Sequence, residues 1–238
     1  MIESIDEHRR AKRRSGSPLA TVEEAIDDFR RGGFVIIIDD EGRENEGDLI
    51  IPAQFVTPKI ISFMLKYTTG IICVPMTGER LDELHIPMMV GHQQNQAQFG
   101  TAFTVSVDAH DHITTGVSAA DRAKTIRVLA DPASASQDLV MPGHIYPLRV
   151  REGGVLVRAG HTEASVDLCR MAGLRPAAAL CEVMRSDGTM ARLPDLKRFA
   201  KRHGIKIISI SQLIRHRVQG ERLVDRVAET AVPTRYGE

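Results

Sequence analysis

Short apolar runs recur along the chain from about residue 20 onward, separated by polar or amphipathic stretches. Runs rich in β-branched residues predict strands, and runs that are apolar at every position predict strands covered on both faces. The segment 101–108 alternates instead, which is also typical of a strand. The predicted strands are Val35–Ile38, Leu49–Ile51, Ile71–Pro75, Thr101–Asp108, Val155–Val157, Leu174–Met184 and Ile205–Ile210.

Amphipathic helices are predicted between these strands from capping residues and apolar stripes. A capping box at Thr21–Glu24 opens the first helix, which ends at Gly32–Gly33. The other helices are predicted from Thr57 to about Lys66, from Ser118 to about Ala130, from Thr162 to Met171, over Asp195–His203, and from Ser211 to about Ala231. Because strands and helices mix without strict alternation, the sequence predicts an α+β fold, a single domain with a mostly buried mixed β-sheet flanked by helices.

Composition and charge exclude several classes of protein. The 238 residues suffice for one large domain or two small ones, and the formal net charge of zero gives no global attraction to nucleic acid or to a membrane. The three cysteines (Cys73, Cys169 and Cys181) form no close pair, which favours a reducing compartment and argues against a thiolate zinc site. No apolar run approaches the roughly 18 residues of a membrane span. Met1–Pro18 lacks the apolar region of a secretory signal, so the sequence predicts a cytoplasmic protein.

The first 20 residues are predicted to form a basic, disordered tail. The stretch His8–Arg14 contains five cationic side chains, counting lysine and arginine alone. A solvated extension is the favoured interpretation, and contact with RNA or an acidic partner is the alternative.

An acidic segment between the first two predicted strands gives the strongest chemical signal. Six carboxylates lie there with Arg43 as the only internal cation, and they are Asp39, Asp40, Glu41, Glu44, Glu46 and Asp48. The apolar flanks hold the segment against a core, where crowded carboxylates repel one another and lose hydration. A divalent cation with oxygen ligands relieves both costs, and the two-residue spacing from Glu44 to Asp48 places three carboxylates on one side of an extended chain. The alternative is a solvated acidic turn.

Two junctions that lead into helices combine hydroxyl groups with free backbone amides, an arrangement that suits a phosphate. At the first, Thr114–Gly116 precedes the helix that begins at Ser118. At the second, Arg158 would supply forked donors and Thr162 a hydroxyl beside the helix amides. The alternatives are ordinary helix caps, with Ser118 and Asp121 as a capping box and Thr162 as a threonine cap.

Four further features have both a chemical and a structural interpretation. His144 lies in a predicted proline-rich connector, where a histidine is most often simply exposed. Glu182 is the one carboxylate of an apolar strand, so it either faces solvent at a strand end or is held with a raised pKa for proton transfer. The amide-rich segment 91–100 is either a mobile loop that closes over a site or a plain surface loop. Cys73 is interpreted as a core residue.

The acidic segment, the two junctions and the connector together resemble the 3,4-dihydroxy-2-butanone 4-phosphate synthase (DHBP synthase) family. The matching stretches are Asp39–Leu49, Thr114–Arg122, Pro142–His144 and Arg158–Ala164. The resemblance implies a DHBP synthase-like fold that converts ribulose 5-phosphate to 3,4-dihydroxy-2-butanone 4-phosphate and formate in riboflavin biosynthesis. It also implies Mg²⁺ or Mn²⁺ and a homodimer with active sites near the subunit interface. Residues 21–217 are therefore predicted to form the catalytic domain.

The resemblance assigns roles by motif position. It implies that Glu44 and His161 bind the metal ion together with substrate oxygens, and that His144 and Glu182 perform acid–base steps. Further substrate contacts are implied for Arg43 and Asp48 at the hydroxyl end and for Thr115, Arg158 and Thr162 at the phosphate. Glu46 matches another active-site carboxylate whose role is left open. Because one residue cannot serve every proton transfer of this reaction, a cluster of graded basicity is expected.

Two regions depart from the family or extend beyond it. Gly91 and Phe99 stand where relatives often have a polar or acidic group and a tyrosine or histidine, so a hydroxyl role does not carry over to Phe99. The segment 231–238 resembles the opening of a GTP cyclohydrolase II domain, so residues 218–238 are predicted to be a helix end and a possible linker to a second domain.

Two other functions use similar parts. A Mg²⁺-dependent phosphosugar isomerase or aldolase would need the same cation and phosphate contacts but would release no formate. A non-catalytic module would use the acidic segment for a structural cation and the helix starts for a phosphorylated ligand. It would bind ribulose 5-phosphate unchanged.

Overall fold

The computed structural model describes residues 19–222 and Arg235, so the predicted basic tail and most of the predicted linker lie outside the described residues. The helices of 19–222 are α1 (Val22–Arg30), α2 (Pro58–Tyr67), α3 (Gly78–Glu83), α4 (Ala119–Ala130), α5 (His161–Met171), α6 (Leu193–His203) and α7 (Ile210–Gly220). The strands are β1 (Val35–Ile38), β2 (Gly47–Pro52), β3 (Cys73–Met76), β4 (Val107–Ala109), β5 (Leu139–Arg149), β6 (Ala178–Glu182) and β7 (Lys206–Ser209). Short 3₁₀ turns occur at Ala53–Phe55, His92–Gln94, Ser136–Asp138 and Gly154–Leu156.

The strands form one mixed sheet in the order β4-β5-β3-β6-β2-β1-β7. β1 pairs with β7 and β3 pairs with β5 in parallel, whereas the other neighbours are antiparallel. This arrangement confirms the predicted α+β fold with a mixed sheet. None of the helices in the part of the chain described here has both the length and the apolar character needed to cross a membrane.

Both faces of the sheet are covered, which explains the uninterrupted apolar strands. In β1, Ile36 and Ile38 belong to the core beneath α2, α4 and α6, whereas Val35 and Ile37 belong to the core beneath α1, α5 and α7. All four side chains are buried. A strand covered on both sides has no polar face, so the acidic segment begins directly after a fully buried strand.

The predicted helix caps of three helices are confirmed. Thr21 and Glu24 form the capping box of α1, in which the Thr21 side chain accepts from the Glu24 backbone N–H at 3.2 Å. The Thr57 hydroxyl accepts from the Ile60 N–H at the start of α2, and the Ser118 hydroxyl accepts from the Asp121 N–H at the start of α4. The sequence therefore located these helix starts through hydroxyl residues that satisfy free backbone N–H groups.

The predicted connector around Pro142 is instead part of the longest strand. β5 runs through Leu139–Arg149 and pairs with both β3 and β4. The prolines predicted a connector, but they are tolerated in this strand because its pairing with β4 is interrupted. Residues 141–144 therefore need no regular ladder hydrogen bonds on that side.

The predicted strand Val155–Val157 is wrong, because the chain turns there. Gly153 and Gly154 both have positive φ, at 88° and 63°, and the turn Gly154–Leu156 follows. The carboxylate of Asp167 accepts the Val155 N–H at 2.9 Å, which ties this turn to α5. Two consecutive left-handed residues cannot continue a strand.

Some predicted element boundaries are also wrong. Gly160, rather than Thr162, occupies the cap position of α5, and Ser209, rather than Ser211, caps α7. Helix α7 ends at Gly220, short of the predicted Ala231, which lies outside the described residues. β4 and β6 are shorter than the predicted strands because the flanking residues pair only through isolated bridges, such as Phe103 with Leu148 and Val183 with Thr69.

All three cysteines are free and buried. Burial raises the pKa of Cys169 and of Cys181 to about 12, and burial together with Glu182 and Asp48 raises the pKa of Cys73. The thiols are therefore protonated at neutral pH, in agreement with the interpretation of Cys73 as a core residue.

Candidate active site

The acidic loop, residues 39–46, is shaped by its first carboxylate. Asp39 accepts the Glu46 backbone N–H at 2.9 Å, the Glu44 N–H at 3.1 Å and Nη1 of Arg43 at 2.8 Å. Its side chain is 1% exposed. Because these donors come from its own loop, Asp39 stabilises the loop conformation.

A second arginine fixes this loop from outside. Nη1 of Arg192, just before α6, donates to the Glu44 carbonyl at 2.8 Å and also to the Asn45 carbonyl. Asn45 has φ 55°. The loop is therefore not extended, and the prediction that alternation alone would align Glu44 with Asp48 is wrong, although both side chains reach the same place.

His161, the first residue of α5, meets the acidic loop. Its Nδ1 lies 3.5 Å from Oε2 of Glu44 and 3.8 Å from Oδ2 of Asp48. The imidazole is 6% exposed, and its Nε2 is buried without a hydrogen-bond partner. The structure thus brings together the two residues that the resemblance assigns to a metal ion, from positions 117 residues apart (161 − 44).

Burial and crowding shift the pKa values of this cluster. Burial alone would lower the pKa of His161, but Asp48 and Glu44 outweigh it and raise the value to about 9. Burial, reinforced by Glu182, Glu44 and Glu46, raises the pKa of Asp48 to about 7 in spite of His161. The His161 contact lowers the pKa of Glu44, whereas burial and Glu44 raise that of Glu46. Without a cation the cluster therefore retains a proton on the imidazole at neutral pH.

The donor set fits a divalent cation. Asp39, Glu44 and His161 offer ligand atoms within 4.8 Å of one another. Asp39 is already satisfied by its own loop. Glu44 accepts Nη1 of Arg43 and faces Nδ1 of His161 through Oε2, and Nε2 of His161 has no partner, which leaves Glu44 and His161 as the candidate ligands. A carboxylate and an imidazole suit Mn²⁺, and Mg²⁺ is compatible when waters and substrate oxygens complete its shell.

Arg158 lies beside this cluster, and Glu163 holds it. Its Nη1 donates to Oε2 of Glu163 at 2.6 Å, and Glu163 is 1% exposed. Its Nη2 donates to the Thr101 hydroxyl and its Nε to the Phe99 carbonyl, both at 3.0 Å. The Phe99 ring also lies 4.8 Å from the guanidinium carbon of Arg43. The loop 91–100 therefore contacts both arginines that the resemblance assigns to substrate.

Glu182 and Asp48 lie side by side on neighbouring strands. They are directly paired in the antiparallel ladder of β2 and β6. Oε2 of Glu182 accepts the Ile71 N–H at 2.9 Å, and a Cβ on Gly70 would approach the same oxygen to 2.4 Å. Glu182 is thus half-buried at a strand end, beside the cluster. Thr162 is buried in the first turn of α5, next to His161.

His144 and Thr115 form a second group on the same sheet. His144 contacts Asp108, and Gly116 packs against both, while Thr115 is exposed. Tyr146 and Leu180 both pair with Cys73. Because β5 and β6 run in opposite directions, His144, two residues before Tyr146, lies at the same level of the sheet as Glu182, two residues after Leu180. One strand lies between them, which separates their Cα atoms by roughly 10 Å. Within 19–222, no hydrogen bond or ion pair links the two groups.

Four buried carboxylates hold these side chains in place, of which sequence reasoning had placed Asp39 in the acidic segment and Asp121 in a helix cap. Asp39, Asp108, Asp121 and Glu163 are buried carboxylates that each accept hydrogen bonds from an assigned segment. Asp108 and Glu163 were missed, because no sequence pattern pairs Asp108 with His144, 36 residues away, or Glu163 with Arg158.

A family model described as 3,4-dihydroxy-2-butanone 4-phosphate synthase matches residues 23–216. The chain is 55% identical over 218 residues to the "Probable bifunctional riboflavin biosynthesis protein RIBA 2, chloroplastic" of Oryza sativa subsp. japonica, covering 92% of this chain and 39% of that protein. It is 52% identical to the "3,4-dihydroxy-2-butanone 4-phosphate synthase" of Neisseria meningitidis serogroup A, covering 93% and 61%. The chain thus spans about two fifths to three fifths of these relatives.

A solved structure is similar over nearly its whole length. It is a 3,4-dihydroxy-2-butanone 4-phosphate synthase in complex with two magnesium ions, 42% identical, with a TM-score of 0.81. The match covers 84% of this chain and 98% of that one.

Proposed function

The chain belongs to the 3,4-dihydroxy-2-butanone 4-phosphate synthase family, and from this premise we propose that it is a lyase that converts D-ribulose 5-phosphate to L-3,4-dihydroxy-2-butanone 4-phosphate and formate. The product is used in riboflavin biosynthesis. The observation that supports this proposal most strongly is the contact of His161 with Glu44 and Asp48, at 3.5 and 3.8 Å, beside Arg158.

Glu44 and His161 are the proposed ligands of the divalent ion. The buried, unpaired Nε2 of His161 and the crowded carboxylates support this role, as do the two magnesium ions of the similar solved structure. Mg²⁺ is proposed, and Mn²⁺ remains a prediction. When bound, the ion would act as a Lewis acid that acidifies the C–H group beside the ketone.

The substrate would be held at both ends. Arg43 and Asp48 would bind its hydroxyl end, and Arg158 and Thr162, with Thr115, its phosphate. The first turn of α5 supplies free N–H groups at the phosphate end. Because these contacts are remote from the reacting carbons, they would orient the sugar through several steps and retain intermediates.

The proton transfers of this reaction require several groups of graded basicity. His144 and Glu182 are the proposed acid–base residues, and Glu46 is a possible further one. The raised pKa of Asp48, about 7 through burial and its neighbours, lies close to neutral pH. A group with such a pKa exchanges protons efficiently at neutral pH.

A homodimer is proposed from the surface around His144. Ile71, Val117, Val140 and Met141 are 37 to 53% exposed. Val140 and Met141 precede His144 along β5, and Val117 follows Gly116. Ile71 lies at the level of His144 in the sheet. Apolar side chains gathered beside functional residues favour burial by a second subunit.

The cytoplasmic location and the second domain remain proposals. One relative is named chloroplastic and bifunctional, so neither property follows from family membership alone. A GTP cyclohydrolase II domain beyond residue 238 is proposed from the resemblance of segment 231–238, which, except for Arg235, lies outside the described residues.

The test is incubation with ribulose 5-phosphate and Mg²⁺, with and without a chelator, and assay of formate. Formate that depends on both substrate and metal is the expected result. A new sugar phosphate without formate would instead identify an isomerase or aldolase. Unchanged ribulose 5-phosphate, together with metal-dependent stabilisation of the fold, would identify a binding module.

A further inference from the structure

The β4–β5 ladder is broken beside His144. Val107 pairs with Ile145, but the next residue, Asp108, pairs with Val140. Residues 141–144 therefore lie outside the regular ladder. A Cβ on Gly143 would approach the Val107 carbonyl carbon to 2.1 Å, so only glycine permits the backbone to pass here. Irregularities of this kind redirect side chains and free backbone groups.

Asp108 binds both groups that this break exposes. Its Oδ1 accepts the backbone N–H of His144 at 3.0 Å, and its Oδ2 lies 2.7 Å from Nδ1 of the same residue. The Asp108 side chain is 7% exposed, whereas the His144 side chain is 46% exposed. The carboxylate is thus a buried anchor, and the imidazole extends from it to the surface.

This double contact determines the tautomer of the ring. The backbone N–H of His144 can only donate, and it occupies Oδ1 of Asp108. Because a carboxylate oxygen can only accept, the ring nitrogen that faces Oδ2 must carry a proton. In neutral His144 the proton is therefore on Nδ1, and the lone pair of Nε2 is free. That is the state required of a general base at Nε2.

The neighbouring segment covers this hydrogen bond. A Cβ on Gly116 would lie 2.1 Å from Oδ2 of Asp108 and 2.5 Å from Nδ1 of His144. Gly116 is held there by its N–H bond to Asp121 at 3.1 Å, and the Thr114 hydroxyl donates to the same oxygen at 2.7 Å. The segment Thr114–Gly116 is thus packed against the His144–Asp108 pair.

We propose that Asp108 is a positioning residue, which holds His144 with Nδ1 protonated and Nε2 free to accept a proton from the substrate. The proton would move to the Nε2 lone pair, the resulting imidazolium would remain paired with Asp108, and Nε2 would return the proton in a later step. This role depends on the proposed function of His144 in acid–base chemistry.

Asp108→Asn tests the proposal with little change in shape. The backbone N–H of His144 still requires an acceptor, so the amide oxygen takes the Oδ1 position and the amide nitrogen faces Nδ1. That nitrogen donates, which forces the ring proton onto Nε2 and removes the free lone pair. We expect kcat for formate release to fall ~10²-fold, the lower range of an acid–base contribution. KM should change less than about threefold, since the phosphate contacts of Arg158 and Thr162 are untouched.

A matched control exists in the same chain. Asp111 lies 2.9 Å from Nδ1 of His110, but these side chains are 73% and 56% exposed. Asp111→Asn removes a histidine–carboxylate contact of nearly equal length outside the proposed site and should leave kcat unchanged.

NMR gives a second test that does not depend on how the variant folds. Long-range ¹H–¹⁵N spectra of the wild-type protein, at a pH where the ring is neutral, should show the His144 proton on Nδ1. A proton on Nε2 overturns the proposal, as does a folded Asp108→Asn protein whose kcat stays within threefold of wild type. A wild-type protein that releases no formate would refute the proposed function, while the tautomer measurement would still decide whether Asp108 orients His144.

Discussion

The region of the acidic loop and His161 differs from the β4–β5 junction around His144 in how its buried carboxylates are satisfied. At the junction, Asp108 and Asp121 each accept hydrogen bonds from fixed donors of the chain. Beside the acidic loop, Asp48 of β2 is crowded by other carboxylates, and burial raises its pKa. Its contact with His161, at 3.8 Å, is too long for a hydrogen bond.

This difference separates two uses of a buried acid. A carboxylate matched by chain donors stabilises a conformation, because leaving those donors unpaired is costly. Carboxylates that crowd together without enough donors are stabilised by a cation that the chain does not supply. Asp39 shows that both kinds occur close together, since donors of its own loop match it while Asp48 nearby is crowded by other carboxylates.

The largest effect is expected for Glu44→Gln. Removing a charged ligand should abolish most of the metal contribution, so kcat/KM for formate release should fall ~10³-fold or more while circular dichroism stays unchanged. Glu41→Gln, at an exposed position of the same loop, is the control and should remain active. Full activity of Glu44→Gln would show that Glu44 is not a ligand.

Asp39→Asn should act on stability. The asparagine amide has a single acceptor oxygen, whereas three donors converge on the Asp39 carboxylate. Urea unfolding should therefore show a free energy of unfolding that is lower by about 3 kcal/mol. Glu41→Gln should change the free energy of unfolding by less than about 0.5 kcal/mol. A loss below about 1 kcal/mol in Asp39→Asn would contradict the structural role of this carboxylate.

Arg158→Ala should chiefly weaken substrate binding. A hydrogen bond to a charged group contributes ~1.5–3 kcal/mol, so KM for ribulose 5-phosphate should rise roughly 10- to 100-fold with a smaller change in kcat. Arg158→Lys retains the positive charge beside Glu163 and should recover part of the affinity. Thermal unfolding of both variants separates lost binding from lost folding, and an unchanged KM in a folded Arg158→Ala protein would refute the phosphate role.

The smallest effect is a pH dependence of metal binding. The pKa of His161 is raised to about 9 in the metal-free site, so the imidazole is protonated at neutral pH, and a metal ion must displace that proton. Affinity for Mn²⁺ should therefore rise with pH, by up to about tenfold per unit, and level off near pH 9. Calorimetry in buffers of different ionisation enthalpy should show release of about one proton at pH 7.5. Release of none would contradict a protonated His161.

Local patterns predicted part of the fold and part of the site. The caps at Thr21, Thr57 and Ser118 and the apolar strand Val35–Ile38 were correctly predicted, because each depends on neighbours in the sequence. The turn at Gly154 and the strand through Pro142 were missed, because Asp167 and the broken β4–β5 ladder determine them.

In the site too, features set by sequence neighbours were predicted and features set by the tertiary fold were missed. The acidic segment was recognised as a candidate cation site from its crowded carboxylates, whereas the metal-ligand roles of Glu44 and His161 were assigned from the family resemblance. Asp108 and Glu163 were missed as partners of His144 and Arg158, 36 and 5 residues away in the sequence. Hydrogen bonds made by the tertiary fold leave no periodic signal.

The central claim, that Glu44 and His161 hold one divalent ion, is tested most directly by pulsed electron paramagnetic resonance of the Mn²⁺-loaded protein. The account predicts ¹⁴N coupling from a directly bound imidazole, lost in His161→Gln. Tightly bound Mn²⁺ that shows no nitrogen coupling in the wild-type protein would contradict it.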